Sequence, residues 1–339
     1  MALLTSWRPR PTRTVGFFLA GVALFVVLIW LVGAASVGHL LLTVGWTAVL
    51  LPIPHLLVTV FETMGWWFAF SRRGCPLPFA RLFRFTTAVK AIQGVTPSVS
   101  QAAELAKLHL LLRAGVGPDL ATASVVTAKT TIVAADLVFM VIGFVMSLGY
   151  LSIDPVLKMW TLIGVGVLAL ALAAVLTWQW LGVFRPVVQL GRRLPMLRGF
   201  LDRHEPLLLS TDAILKEYLV EHRARFWASA LSYFGFFLGG ALETWLILWM
   251  MGLPTSLSVM LFIHIWLAVV IRLTAFIPSN LGTHEAGALM VFALVGLPAE
   301  AALAFSLFRR LRQLVWMALG LAVWPGGRPS RATATTIGV

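Results

Sequence analysis

Phe276-Ile277-Pro278-Ser279-Asn280-Leu281-Gly282-Thr283-His284-Glu285 sets a proline, a glycine, a histidine and a glutamate inside an otherwise apolar stretch, residues 256–297. A second stretch, residues 82–113, is broken in the same way by Thr96-Pro97-Ser98-Val99-Ser100-Gln101-Ala102-Ala103-Glu104. Proline removes a backbone donor and breaks the helical ladder. Backbone freed in this way is tolerated at membrane depth only where protein or a water-filled cavity covers it. Each stretch therefore reads as a hairpin of two short helices, spanning or re-entrant, and the chain around it as an all-α membrane protein.

The two breaks belong to an internal repeat. Glu62 lies 35 residues before Pro97 and Glu243 lies 35 before Pro278, and each glutamate is followed by a threonine, Thr63 or Thr244. Pro97 and Pro278 are each followed by a serine, Ser98 or Ser279, and seven positions on by a glutamate, Glu104 or Glu285. Pro118 precedes Lys129 by 11 residues, as Pro298 precedes Arg309, while Lys90 and Arg272 follow their glutamates by 28 and 29. Five coincidences at an offset of 180 to 182, several at residues costly in lipid, mark a duplication.

Full spans are predicted near 16–36, 40–66, 119–150, 158–182, 226–252 and 299–324, six in all beside the two hairpins. Of the 339 residues 60% are apolar and 12% charged, about half the charged share of a soluble domain. The net charge of +13 falls in clusters after alternate spans, at Arg8, Arg10 and Arg13, at Arg72, Arg73, Arg81 and Arg84, and from Arg185 to Arg203. That distribution is the positive-inside pattern of a bacterial inner membrane protein with both termini cytoplasmic, and it removes nucleic acid as the reason for the basic charge. Three crossings separate the copies, so the second starts on the opposite face from the first, an inverted-topology repeat. The predicted divisions are a tail (1–15), a first unit (16–157), a second unit (158–324) with a cytoplasmic connector (184–225), and a second tail (325–339). The connector carries an expected interfacial helix at 207–220, and Trp66, Trp67, Trp178 and Trp180 read as interfacial anchors. Cys75 is the only cysteine, which leaves no disulfide framework.

The segment Phe276 to Glu285, with Val295-Gly296-Leu297-Pro298 and the Arg309-Arg310 pair, resembles the flippase-like family named for the transmembrane region of lysylphosphatidylglycerol synthase. Glu243-Thr244 and residues 296–324 are most similar to the branch associated with hopanoid biosynthesis. The first hairpin departs from the family pattern, with Val99 to Glu104 and Lys107 where a glycine-rich turn and an arginine are usual. Nothing in the chain resembles the soluble aminoacyl-transferase domain of some relatives, so the resemblance implies lipid translocation rather than aminoacylation.

The candidate site combines carboxylates, cations and helix breaks. Glu62, Glu104, Glu243 and Glu285 either brace the two halves through ion pairs or line a substrate or proton pathway, and the two roles are compatible. Lys90, Lys107, Lys129, Arg272, Arg309 and Arg310 suit a phosphate-bearing head group, arginine by its fork and lysine as a point charge. Arg312 belongs to the same cationic set, with snorkelling or local pairing as the alternative reading for it and for one of Arg309 and Arg310. Pro97 and Pro278 aim helix starts at the midplane, where Ser98, Ser279 and Asn280 either cap the helix or leave its N–H groups for an anion. Gly282 permits close backbone approach, and His284 beside Glu285 is a proton-carrier candidate. Asp136, seven residues after Lys129, reads as its ion-pair partner. No histidine pair has i,i+4 metal spacing and no Walker-type loop is present, so no metal, cofactor or nucleotide is expected. The expected partner is a membrane lipid, with a second copy of the chain or lipid-synthesis enzymes as further candidates. An intramembrane lipid-modifying enzyme and a scaffold for lipid synthesis are the competing readings.

Cysteine labels near Ser152 and Thr255 are expected to react from the outer face, and Cys75 and a label near Arg193 from the cytoplasm only. Labelling of 152 and 193 from one side contradicts the inverted arrangement.

Overall fold

The computed structural model describes residues 42, 44–70, 74–93, 99–148, 155–181, 209–218, 220–274, 277, 280 and 282–324. The expected span at 16–36, both tails, and Pro97, Ser98, Pro278 and Ser279 lie outside these residues. All described secondary structure is helical. A 3-10 segment, Gly45–Leu50, leads into α1 (Pro52–Phe68), and the first hairpin is α2 (Phe79–Gln93) and α3 (Val99–Arg113). Two long helices follow, α4 (Pro118–Leu148) and α5 (Pro155–Leu181). The second copy is α6 (Arg223–Met250), the hairpin α7 (Leu257–Leu273) and α8 (Thr283–Leu294), and α9 (Ala299–Ala322).

Among the described residues, three segments are long and apolar enough to cross a bilayer, Gly45–Phe68, Pro118–Met146 and Arg223–Met250. The hairpin arms have 15, 15, 17 and 12 residues. At 1.5 Å per residue each is roughly 18–26 Å long, shorter than a hydrocarbon core of about 30 Å. The expected broken hairpins are present at their expected places.

Local chemistry repeats with the same offset. Gly115 and Gly296, 181 apart, both have positive φ, 85° and 72°, and end α3 and α8. Val116 N–H donates to Leu111 O at 3.1 Å and Leu297 N–H to Phe292 O at 2.9 Å, the 6→1 bond of a Schellman end. Pro118 opens α4 and Pro298 directly precedes α9, where a missing N–H costs nothing.

α1 and α6 form the centre and run antiparallel. His55 Nδ1 lies 3.7 Å from Glu243, Ser229 Oγ donates to Gly65 O at 2.8 Å, and Arg225 Nε donates to Phe70 O at 3.0 Å. Rising numbers on one helix thus meet falling numbers on the other. At the crossing Val58 packs on Gly239, and these two positions are themselves 181 apart. Equivalent points meeting between antiparallel equivalent helices define a two-fold relation across the helix pair, so the copies are inverted. The remaining neighbours obey it: α2 packs on α9 and α7 on α4, so each hairpin lies against the last helix of the other copy.

Glycines allow these approaches. A Cβ on Gly65 would stand 2.7 Å from the buried Tyr233 ring, and one on Gly235 would stand 2.9 Å from Phe61. In the α2/α9 seam, a Cβ on Gly320 would stand 2.6 Å from Thr87 O and 3.0 Å from Ala91 N. Two apolar cores form, one around Phe262, Phe292 and Phe305 that also takes in Leu51, Phe139 and Phe144 of the first copy, the other around Phe70, Leu82 and Leu110 with Tyr233 of the second. Trp66 is fully buried in the latter rather than anchored at an interface, because α6 covers it, while Trp67 is half-buried. The side chains of Trp178 and Trp180 lie outside the described set. The connector is helical at 209–218, with Thr211, Leu215 and Tyr218 turned inward.

Gly320→Ala is expected to lower stability by about 1–3 kcal/mol in thermal melts in detergent, since backbone cannot rotate away. Gly164→Ala on α5, where an added Cβ meets nothing within 4 Å, is expected to leave the melt unchanged or raise it slightly.

Candidate polar cavity between the two copies

α1 presents Glu62 inward, with 8% of the side chain exposed, to two lysines. Lys90 Nζ on α2 donates to its Oε2 at 2.9 Å and Lys107 Nζ on α3 to its Oε1 at 3.4 Å. Lys107 also stands 3.9 Å from Glu104 Oε2 one turn earlier and 5.3 Å over the Trp66 ring. Lys129 on α4 closes the row, 3.8 Å from Glu104 Oε1. The first copy therefore holds a continuous line, Lys90, Glu62, Lys107, Glu104, Lys129, drawn from four helices.

The second copy answers with arginine. Glu243 on α6, 1% exposed, accepts a short hydrogen bond from Arg312 and lies 3.7 Å from Arg309 Nε. Arg310 Nε donates to Glu285 Oε1 at 3.1 Å, and its Nη2 donates to Asn280 O at 3.0 Å. Glu285 Oε2 accepts from the Gly282 N–H at 2.7 Å, tying the start of α8 to its own first turn. Asn280, at φ 47°, and Gly282, at φ 80°, make the bend that brings that carboxylate back. Thr274 Oγ1, donating to Asn280 Oδ1 at 2.9 Å, holds the bend from the end of α7.

Between the two groups lies a cavity of about 410 Å³. Lys90, Lys107 and Lys129 line one part of it and Arg309, Arg310 and Arg312 another, with Tyr233 and Trp316 among the aromatic wall residues. Of the residues predicted from sequence, Glu62, Lys90, Glu104, Lys107, Lys129, Asn280, His284, Arg309 and Arg310 line it. Glu243 and Glu285 sit behind the arginines they bind, and Gly282 behind Glu285.

A scan of family models matches the lysylphosphatidylglycerol synthase TM region over residues 18–321. The chain belongs to this family. It is thus a membrane protein of a family concerned with lipid handling. No curated protein and no solved structure matches it.

In this lysylphosphatidylglycerol synthase TM-region protein the cavity corrects four sequence expectations. Asp136 pairs with Arg272 across the α4/α7 seam, not with Lys129. Seven residues are about 10.5 Å along a helix, beyond side-chain reach of Lys129, whereas α7 passes beside Asp136. Arg272 is thereby drawn to that seam and away from the glutamates. The counterpart of Lys129 is Arg310 rather than Arg309, since Lys129 binds Glu104 as Arg310 binds Glu285, both at the 181 offset. Counting from the prolines misses this by one residue, because Pro118 is the first residue of α4 while Pro298 precedes α9. The N–H group expected to await an anion at the second break is taken by Glu285.

The repeat pointed to none of His55, Gln313 and Trp316, which also line the cavity, whereas Arg312 takes the locally paired role that was one of its expected readings. Arg312 Nη1 lies 2.8 Å from His55 Nδ1, and the same group bonds Glu243. The signal was present in the spacing of Arg309, Arg312, Gln313 and Trp316, one face of a helix at i, i+3, i+4 and i+7. The histidines make separate contacts: His264 Nδ1 lies 3.1 Å from Thr244 Oγ1, and His284 Nδ1 is buried with no partner among the described residues.

Glu243→Gln, which leaves Arg309 and Arg312 buried without their shared carboxylate, is expected to destabilise the protein by about 3–5 kcal/mol. Asp136→Asn, in a pair whose Arg272 side chain is 42% exposed, is expected to cost about 1 kcal/mol. Thermal unfolding of both in one detergent ranks them.

Proposed function

We propose that this protein is a lipid transporter of the flippase type, in which a lipid head group enters the polar cavity while its tails remain in apolar surroundings. The carrying observation is that one charged cavity is lined by both inverted copies. Inverted repeats with a binding site on broken helices at their interface are the construction of alternating-access carriers. Rocking of one copy against the other exposes such a cavity first to one face and then to the other. Six cations line it, and their forks and point charges suit a phosphate-bearing head group.

An apolar groove of about 470 Å³ supports the same reading. It lies between α4, α6 and α7 and is lined by Phe139, Met146, Leu238, Trp245 and Met260, among others. Along α4 it begins beyond Asp136, while the polar cavity ends at Ile132, so the polar and apolar sites share one seam. The likeness of 296–324 to the hopanoid-associated branch favours a polycyclic tail as one occupant beside acyl chains. The protein is assigned in this reading to the bacterial inner membrane with both termini cytoplasmic. Glu104, 23% exposed and held only by contacts of 3.8–3.9 Å, is the carboxylate freest to exchange a lysine for a ligand or a proton.

Reconstituted protein is expected to speed the loss of a fluorescent phospholipid signal to a membrane-impermeant quencher, compared with empty vesicles. Glu104→Gln is expected to slow that step at least about tenfold with an unchanged melting temperature. Wild-type vesicles that match empty ones for anionic, zwitterionic and polycyclic lipids alike exclude transport.

A further inference from the structure

Each half of the cavity holds three cations and two carboxylates. The first has Lys90, Lys107 and Lys129 against Glu62 and Glu104; the second has Arg309, Arg310 and Arg312 against Glu243 and Glu285. Each of these carboxylates pairs with a cation of its own half, and Glu243 also lies 3.7 Å from His55 Nδ1 of the first copy. Three cations less two carboxylates leaves one positive charge in each half, counted over the described residues. The Asp136–Arg272 pair cancels itself at the seam and changes neither count.

The surplus can be placed. In the first half it lies toward Lys129, whose side chain is 41% exposed and whose contact with Glu104, at 3.8 Å, is long for an ion pair. In the second half Arg310 is engaged by Glu285, Asn280 O and Gln313, while Arg309 and Arg312 divide the single carboxylate of Glu243. His284 adds an independent mark. It lines the cavity at 7% exposure, and its Nδ1 is a buried polar atom without a partner among the described residues. Buried polar atoms left open in this way await a ligand or water.

Two uncompensated charges in a low-dielectric cavity are costly unless a bound anion balances them. We propose that the ligand is a lipid phosphomonoester, whose head group carries two negative charges and lies across both halves, one charge against the Lys129 side and one against the Arg309–Arg312 side. A phosphomonoester carries about −1.5 to −2 near neutral pH and offers three acceptor oxygens, one of them for His284. A phosphodiester lipid brings one negative charge and a zwitterion none, so each leaves part of the cavity unbalanced. A head group gripped by one charge from each copy also stays held when one copy moves against the other. This inference rests on the lipid-transport reading and narrows its substrate class.

The test is lipid retention by the purified full chain, measured by native mass spectrometry at pH 8. Phosphatidic acid, phosphatidylglycerol and phosphatidylcholine with identical acyl chains are compared, and inorganic phosphate is titrated as a competitor. Phosphatidic acid is expected to be retained at least about tenfold more strongly than phosphatidylglycerol, with phosphatidylcholine weakest. Lys129→Gln, which removes one charge at the most exposed of the six cations, is expected to bring phosphatidic acid and phosphatidylglycerol within about threefold of each other. Inorganic phosphate is expected to displace phosphatidic acid only at millimolar levels. Equal retention of phosphatidic acid and phosphatidylglycerol by the wild type overturns the dianion while an anionic-lipid carrier still stands. Unchanged selectivity in a folded Lys129→Gln overturns the division of charge between halves. Displacement by micromolar phosphate makes the free ion the ligand and overturns the lipid assignment. Retention of no lipid above phosphatidylcholine, together with no transport in vesicles, removes both readings.

Discussion

A carboxylate cannot sit in hydrocarbon without a partner, and this single cost organises the molecule. Glu62 and Glu243 lie on the two helices that cross at the centre, so their partners must be brought there from elsewhere in the chain. α2 and α3 bring lysines to the first, and α9 brings arginines to the second. The helices that supply cations are broken or polar for that reason. The cavity is the space left where these converging groups meet without filling the volume between them.

The two halves solve one problem with different chemistry. Lysines reach Glu62 from two separate helices, as compact charges on flexible stems. The arginines of the second half come from a single turn of one helix, and their planar forks bind several oxygens at once, as Arg310 does with Glu285 and Asn280 O. Both halves mix close and long contacts, from 2.9 Å for Lys90–Glu62 to 3.9 Å for Lys107–Glu104 in the first, and from the short Arg312–Glu243 bond to 3.7 Å for Arg309–Glu243 in the second. An inverted pair of this kind keeps its topology symmetric while its cations differ in type and origin.

Much of this was legible in the sequence because duplication repeats its costly residues. Glutamates, prolines and cations that are awkward in lipid recur at one offset, and both hairpins and several of the charged residues that line the cavity were found that way. What the offset could not show was lateral proximity. Asp136 and Arg272 are 136 residues apart and meet only because α7 packs on α4, a contact between copies that no spacing within one copy announces. Arg312 has no charged counterpart in the first copy, where Thr131 stands at the matching position, so the offset could not pair it. Trp66 was misplaced because residue type alone cannot distinguish a membrane interface from a helix crossing.

The seams that bound the cavity are equivalent by symmetry and unlike in construction. Between α2 and α9, Gly320 lies directly on the backbone at Thr87 and Ala91, so parting these helices strips contact from main chain that nothing else replaces. Between α4 and α7 the join includes the Asp136–Arg272 pair, which water can solvate as the helices separate, beside the packing of Gly143 on Ile265 and of Phe144 on Trp266. Were the copies to rock as proposed, joins that differ in this way would give the two open states unequal energies, and in the absence of an energy source that inequality sets which face the empty cavity rests against without biasing the net direction of flow.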